Sequence, residues 1–161
     1  IESPAELKLE LPVDAHIPQT YVDSERLRLE AYHKLSAASG EKSNRAALDG
    51  ILAELTDRYG EAPQAVKNLI DVTELRQQCN RLGLKDVTLL GTQATLKPVE
   101  LTEGEQVRLS HAFPGLRYLQ TNQLLTVPAP KDADGSPLRD RAVIDWTWQF
   151  LATVFANKEK P

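Results

Sequence analysis

The stretch ALDGILAELTDRYGEAPQAVKNLIDVTELRQQCNRLGL, residues 47–84, contains the strongest fold signal in the chain. Apolar residues in its first part recur at helical spacing and fall on one stripe at about 100° per residue. Gly60 can adopt the positive φ that ends such a helix, and Pro63 suits the first turn of the next one, where its missing N–H costs nothing. The sequence therefore predicts two helices joined at a corner. The stripe consists of Leu48, Ile51, Leu52, Leu55 and Tyr59.

The second helix of this pair has apolar residues on two nearly opposite sides. The set around Val66 and Ile70 faces one way, and the set around Leu75 and Cys79 faces the other. Gly83 follows as the expected C-cap. We therefore expect a helix that ends near residue 82 and is buried against two different surfaces. In this setting Cys79 is interpreted as a small core residue rather than a nucleophile.

The rest of the chain combines short β-prone runs with helical patterns. Two pairs of runs are separated by turn residues and predict hairpins, which imply an antiparallel sheet. Helices packed on such a sheet define the α+β class, so we predict a single α+β domain over residues 1–161 with the order β-α-α-α-β-β-α-β-β-α. The ends, 1–4 and 158–161, are expected to fray. The other expected elements are a strand at 6–11, an ordered surface connector over 12–22, helices capped by Ser24, by Ser43 or Asn44 and by Thr102, a last helix over 139–157, and hairpins that turn at 91–93 and at Asn122.

Composition excludes several classes of protein. The chain has 161 residues, 19 Lys and Arg against 23 Asp and Glu, a net charge of −4 and one cysteine. This balance has the wrong sign for a dedicated nucleic-acid surface, and one cysteine rules out an internal disulfide framework. The sequence has no run of about 18 apolar residues and no secretory leader, so no membrane association is expected. Because methionine is absent, even at position 1, we expect an excised piece of a longer cytoplasmic protein, monomeric in isolation.

Catalytic and cofactor motifs are missing from the sequence. It has no Walker loop, GxGxxG turn, GxSxG elbow or HExxH helix, and its eight glycines are dispersed. Asp14 and His16 lie on one loop, where an acid/base pair is conceivable, but a solvated or hydrogen-bonded loop histidine is the favoured interpretation. We therefore predict no catalytic residue, no cofactor and no metal site.

The last predicted helix is amphipathic over residues 139–157. Its Trp146 and Trp148 are interpreted as core and rim residues, whereas an exposed tryptophan would indicate a partner anchor. The side chains expected to face inward are Val143, Ile144, Thr147, Trp148, Leu151, Val154 and Phe155.

Glu54 and Asp57 lie three residues apart on the first helix of the opening stretch, so they project together beside its buried stripe. One interpretation is local: Glu54 pairs with Arg58 at i,i+4, and Asp57 is an ordinary exposed carboxylate. The other is functional, because two carboxylates at fixed spacing form a fork for arginines on another surface. Spacing alone favours the local interpretation.

The order of four segments resembles a known family. The segments are LPVDAHIPQTYV, RLEAYHKL, AELTDRYGEAPQAVKNLIDVTELRQQCNRLGL and IDWTWQFL. The order of these segments resembles that in the C-terminal domain of the bacterial transcription-repair coupling factor, Mfd. The resemblance is strongest over residues 11–84 and weak in both hairpins. The family more often has Phe at the position of Tyr59, which is a mild departure.

The resemblance implies a non-catalytic, autoinhibitory domain of an ATP-driven DNA translocase that acts on RNA polymerase stalled at DNA damage. In that family the domain folds back on the domain that recruits the repair protein UvrA and covers the recruiting surface until the enzyme is engaged. The Glu and Asp of the ELxDR segment face arginines there, and they carry over to Glu54 and Asp57, with Arg58 beside them. The expected partner is therefore the UvrA-recruiting domain of the same protein.

The alternative function uses the polar side of the second helix, which carries Arg76, Gln77, Asn80 and Arg81. Such a helix can lie in a nucleic-acid groove, and an accessory domain of this kind would hold duplex DNA beside the motor with Arg76, Arg81 and Lys85. Because no aromatic residues and no basic cluster surround these positions, a solvated face is favoured and direct nucleic-acid binding is not expected.

Overall fold

The computed structural model describes residues 6–156 and shows a five-stranded sheet together with five α-helices. The elements follow in the predicted order, which confirms the α+β class; the ends expected to fray, 1–4 and 158–161, lie outside the described residues. None of the helices in 6–156 is both long and apolar enough to cross a membrane. The elements are β1 (Lys8–Glu10), α1 (Glu25–Ala37), α2 (Arg45–Tyr59), α3 (Gln64–Arg81), β2 (Asp86–Leu90), β3 (Gln93–Lys97), α4 (Glu103–Ala112), β4 (Arg117–Leu119), β5 (Leu124–Pro128) and α5 (Arg141–Val154).

The sheet has the strand order β1-β2-β3-β5-β4. The two predicted hairpins pair β2 with β3 and β4 with β5, and β3 pairs with β5, all of them antiparallel. β1 differs, because it pairs parallel with β2 and places Lys8 opposite Asp86. Parallel neighbours need a long connection, and three helices lie between these two strands in the chain. The sheet is therefore mostly antiparallel with one parallel pair.

Contacts divide the chain into two compact units. The helical unit is Val13–Arg81 and contains α1, α2 and α3. Among the described residues, the sheet unit is formed by 6–12 and 82–156, and it contains the five strands with α4 and α5. That these form a single domain stays a prediction. The candidate site lies in the helical unit.

Local signals set the boundaries of the helices in the helical unit. The Ser24 side chain accepts a hydrogen bond from the backbone N–H of Leu27 at 3.2 Å, and the Asn44 side chain accepts one from Ala47 at 3.3 Å. Each side chain thereby caps the N-terminus of its helix. Gly60 ends α2 with a φ of 89°, as the sequence predicts. These boundaries fix which residues of α2 face the core.

The apolar stripe of α2 is directed inward. Leu48 is 0% exposed and Leu55 is 6% exposed, while the other members of the stripe are partly buried against the same core. The connector before α1 is irregular, as predicted, but it does not only cover the surface, because Ile17 and Val22 anchor it in this core. One core cluster consists of Ile17, Val22, Ala31, Leu55, Ala62 and Val66.

Arg45 fastens the start of α2 to α3. Its guanidinium donates to Asp49 within α2 at 2.8 Å, and to Asp71 and Glu74 of α3 at 2.8 Å and 2.9 Å. These hydrogen bonds raise the pKa of Arg45 above its ordinary value, and the bond to Asp49 makes the largest contribution. Charge-assisted hydrogen bonds of this kind are stronger than neutral ones. α2 is therefore held by both packing and charge.

In the sheet unit, α5 spans a shorter segment than predicted and buries a slightly different face. Phe150, which the pattern did not place inside, is 2% exposed, whereas Trp148 is half-buried rather than inside. Phe150 meets Phe113 edge to face, with ring centroids 5.1 Å apart, and Trp146 stacks on it at 4.7 Å. Aromatic pairs prefer these arrangements. Trp146 is also half-buried, so neither tryptophan is a fully exposed anchor.

Candidate partner-binding site

The second half of α2 carries the three residues singled out as the partner-binding site. Leu55 points into the core and fixes the rotation of the helix, while Glu54, Asp57 and Arg58 are exposed around it. The structure therefore presents both carboxylates and the guanidinium to solvent from one rigid element. Sites on helices hold their side chains more accurately than sites on loops do.

Glu54 has a partner that its position in the sequence does not suggest. The Lys34 ammonium on α1 donates to both carboxylate oxygens, at 2.9 Å and 3.1 Å, whereas the expected partner Arg58 lies farther away at 3.8 Å. The hydrogen bond from Lys34, followed by its charge, lowers the pKa of Glu54. Because Lys34 is on another helix, 20 residues earlier, no periodicity in the sequence could reveal the pair.

Asp57 differs from Glu54 in its hydrogen-bonding partners. Its side chain is exposed, and within residues 6–156 it makes no hydrogen bond and no ion pair. An ionised carboxylate with both oxygens free can accept two parallel hydrogen bonds from one guanidinium. Of the two predicted fork residues, Asp57 is thus the one that can receive a cation with no prior exchange of partners.

Arg58 borders an aromatic corner at the end of α2. Its guanidinium lies 5.6 Å from the centre of the Tyr59 ring, and Tyr59 meets Tyr21 edge to face at 5.8 Å. The Tyr21 hydroxyl donates to the carbonyl of Gly60 at 2.7 Å, and burial is the main cause that raises the pKa of Tyr21. The corner ties the connector before α1 to the C-terminus of α2, which sequence reasoning did not predict.

A shallow groove lies between α1 and α2. Apolar side chains line it together with the charged side chains of Glu30, Lys34, Glu54 and Arg58. Both helices belong to the helical unit, so the groove is a feature of that unit alone. The apolar residues that line it are Leu27, Ala31, Ile51, Leu55 and Tyr59.

We predict that replacing Lys34 with methionine raises the pKa of Glu54 toward that of an ordinary glutamate, because the hydrogen bond and the charge that lower it are lost. Arg58→Met should raise this pKa less, since the Arg58 contact is longer and its contribution smaller. Carboxyl-detected NMR titration measures both. The ion pair contributes to stability above the ordinary carboxyl pKa and is lost as the pH falls through the lowered pKa of Glu54. An unchanged Glu54 pKa in Lys34→Met would contradict the pairing.

The other sequence candidates for chemistry are either exposed on a loop or buried. Asp14 and His16 do meet, with Nδ1 of the histidine 2.8 Å from the carboxylate. The His16 side chain is 51% exposed and that of Asp14 is 70% exposed. Both side chains are largely open to solvent, which fits the favoured interpretation of a solvated, hydrogen-bonded loop histidine. In the part of the chain described, no cluster of three or more His, Cys, Asp or Glu side chains is arranged to hold a metal ion.

Cys79 is 0% exposed, as predicted for a core residue, and burial raises the pKa of its thiol to about 12. We expect the native protein to react with Ellman's reagent at about pH 8 at least 100-fold more slowly than the unfolded chain, because the thiolate is the nucleophile. Absorbance at 412 nm, with and without denaturant, follows the reaction. Equal rates in the two states would show that Cys79 is accessible.

The polar side of α3, which we expected to be solvated, is exposed only in part: Arg81 is exposed, whereas Gln77 is buried. Gln77 is 0% exposed, and its amide donates to the carbonyls of Ala38 and Asn44 at 2.7 Å and 3.1 Å. The amide of Asn80 donates to the carbonyl of Ser39, and Arg81 donates to that of Ser43. The expectation was wrong for Gln77, because a glutamine amide can donate to loop carbonyls instead of to water.

Comparison with known proteins agrees with the resemblance. The TRCF domain family matches residues 11–108. Transcription-repair-coupling factors of Mycobacterium bovis and Mycobacterium tuberculosis are each 38% identical over 162 residues, which span 99% of this chain and 13% of each relative. The factor of Escherichia coli is 31% identical over 78 residues, which span 48% of this chain and 6% of that protein.

The fold has a counterpart among solved structures. The crystal structure of the C-terminal domain of a transcription-repair coupling factor superposes with a TM-score of 0.64, covering 96% of this chain and 97% of that one at 16% identity. At this identity the match establishes the fold. Because the chain spans only 13% of its mycobacterial relatives, their whole-protein activities do not transfer to it directly. The family match over residues 11–108 and the near-complete coverage by those relatives do establish membership: the chain belongs to the TRCF domain family of transcription-repair coupling factors.

Proposed function

We propose that this chain is a non-catalytic regulatory domain of a transcription-coupled DNA repair translocase. It masks the UvrA-recruiting surface of the same protein by intramolecular contact until the enzyme engages stalled RNA polymerase. In this proposal Asp57 and Glu54 receive arginines of the UvrA-recruiting domain, with Arg58 at the edge of the contact. The observation that carries the proposal is Asp57, an exposed carboxylate without a partner in residues 6–156, on a helix fixed by its core.

The way α2 is held supports a role in recognition. Leu48 and Leu55 bury one side of the helix, and Arg45 ties its first turn to α3. Asp57 is therefore presented from an element that does not need to reorganise on binding, which lowers the entropic cost of association. Neither Asp57 nor Glu54 is part of the buried core, so both can be changed without emptying it.

The strength expected of such a contact suits a switch. A closed state that must open can be favoured by only a few kcal/mol, on the order of 1 to 5. Two exposed carboxylates that meet arginines provide a modest, salt-sensitive attraction, and covalent linkage supplies an effective concentration in the millimolar range. The contact can therefore be weak between separate molecules and still close the intact protein.

The test of this function is binding between separate molecules. The wild-type chain, titrated with the separately produced UvrA-recruiting domain and followed by fluorescence anisotropy, should bind with a Kd on the order of 1 to 100 μM at low salt. Asp57→Ala should weaken binding about tenfold or more, because the carboxylate would be lost from a charge-assisted pair. Glu41→Ala removes the same charge from an exposed loop of the helical unit and should leave the Kd within about twofold.

Equal affinity of wild type and Asp57→Ala would contradict the assignment of the site. A gel shift with duplex DNA at low salt tests the nucleic-acid alternative on the same samples. Masking predicts no appreciable shift, whereas the accessory-domain function predicts a shift that weakens when Arg76, Arg81 and Lys85 are replaced. The two proposals therefore give opposite results with the two titrants.

A further inference from the structure

The two carboxylates of the proposed contact differ in what they must give up to bind an arginine. Both oxygens of Glu54 are within hydrogen-bond distance of the Lys34 ammonium, at 2.9 Å and 3.1 Å. Asp57 has no such partner among residues 6–156. A guanidinium approaching Glu54 with two parallel N–H groups needs both oxygens, so it must displace Lys34 or share the carboxylate with it.

The pair is placed where this exchange can occur. Lys34 and Glu54 are 50% and 44% exposed, and both line the groove between α1 and α2. An ion pair this exposed is screened by water and salt, so breaking it costs little compared with a buried pair. Arginine also matches a carboxylate in planar geometry, which the point charge of a lysine does not. The exchange is thus feasible and still reduces the net gain on binding.

We propose that Lys34 is an internal competitor for Glu54: docking of the UvrA-recruiting domain exchanges the Lys34–Glu54 ion pair for an arginine–Glu54 pair, and the lysine thereby weakens the masking contact. This inference rests on the proposed function. It assigns Lys34 a role in setting the strength of the closed state, whereas Asp57 supplies attraction without an exchange. Because Lys34 weakens the contact with the UvrA-recruiting domain, the closed state of the protein is easier to open.

The test is the same titration with Lys34→Met, which keeps most of the aliphatic stem and removes the ammonium. Binding of the UvrA-recruiting domain should tighten about 3- to 5-fold. Removing any positive charge favours a cationic partner, so a matched control is needed. Lys67→Met provides it, because Lys67 is 45% exposed, lies in the same unit and is also near a glutamate, Glu61, at 3.7 Å. That variant should change the Kd by less than about twofold.

A second pair of variants tests the route through Glu54. If Lys34 acts by occupying that carboxylate, Lys34→Met made in a Glu54→Ala background should change the Kd no more than Lys67→Met does. A gain that persists without Glu54 would mean that Lys34 acts by long-range repulsion and would overturn the proposal. Weaker binding of Lys34→Met would overturn it as well, because the lysine would then be positioning Glu54 for the partner.

The outcomes separate this inference from the function on which it rests. If Asp57→Ala weakens binding and Lys34→Met does not tighten it beyond the control, the site stands and the competition does not. If the wild-type chain and all its variants fail to bind the UvrA-recruiting domain, the proposed function fails, and the competition fails with it.

Discussion

Replacing both Glu54 and Asp57 with alanine in the full-length protein is expected to raise UvrA binding about 10- to 100-fold. The affinity of UvrA for a protein that is mostly closed is reduced by the fraction of molecules that are open, and loss of the contact removes this reduction. The expected size follows from a closed state favoured by a few kcal/mol. Surface plasmon resonance with immobilised UvrA measures the change.

The control for this release is Glu41→Ala, an exposed carboxylate on the loop between α1 and α2, which should bind UvrA as the wild type does. The double variant must also keep its fold, because Glu54 and Asp57 are both exposed. Wild-type UvrA affinity in a folded double variant would exclude masking through this pair. An unfolded circular dichroism spectrum of the isolated double variant would show that the pair is structural instead.

Gln77→Ala is expected to lower the free energy of unfolding of the isolated chain by about 2 to 4 kcal/mol. The side chain is 0% exposed and donates to the carbonyls of Ala38 and Asn44, at the two ends of the loop between α1 and α2. Truncation leaves both carbonyls without this donor and leaves a cavity beside α3, where the side chain was. Urea unfolding followed by circular dichroism measures the loss.

Gln78→Ala is the matched control, because it makes the same chemical change one residue along α3 at a position that is only half-buried. It should cost less than about 1 kcal/mol. If Gln77→Ala were no more destabilising than Gln78→Ala, the buried amide would contribute nothing to closing the loop. The loop orients α1, which carries Lys34, so the same variant should also disturb the Lys34–Glu54 pair.

Local chemistry was enough to predict the order of elements and most of their boundaries. The signals that set these boundaries each depend on residues at most three apart. They are the caps of Ser24 and Asn44, the positive φ of Gly60 and the capping box of Thr102 with Glu105. Such signals are complete within a short window of sequence, which is why they correctly predicted three helix starts and one helix end.

Contacts between distant residues were not predictable in the same way. Lys34 binds Glu54 across 20 residues, and Gln77 reaches back 39 residues to Ala38. Polar residues on a helix are compatible with water, with a partner or with a neighbouring loop, and the sequence does not distinguish these environments. The parallel pairing of β1 with β2 escaped prediction for a related reason, since it depends on how three intervening helices return the chain.

The candidate site was predicted in part. Helical spacing predicted that Glu54 and Asp57 project from one helix beside its buried stripe, and both are exposed on α2. Spacing did not reveal that one carboxylate is paired and the other is not, although this difference decides how each can bind an arginine. The identity of the partner came from the family resemblance and stays a proposal.

Masking is tested most directly by restoring it between separate molecules. Full-length protein from which this domain has been removed should bind UvrA strongly, and adding the wild-type chain at a concentration well above its Kd should suppress that binding about tenfold or more. The Glu54→Ala, Asp57→Ala chain should not suppress it at the same concentration. UvrA binding that is the same with and without the wild-type chain would contradict the account.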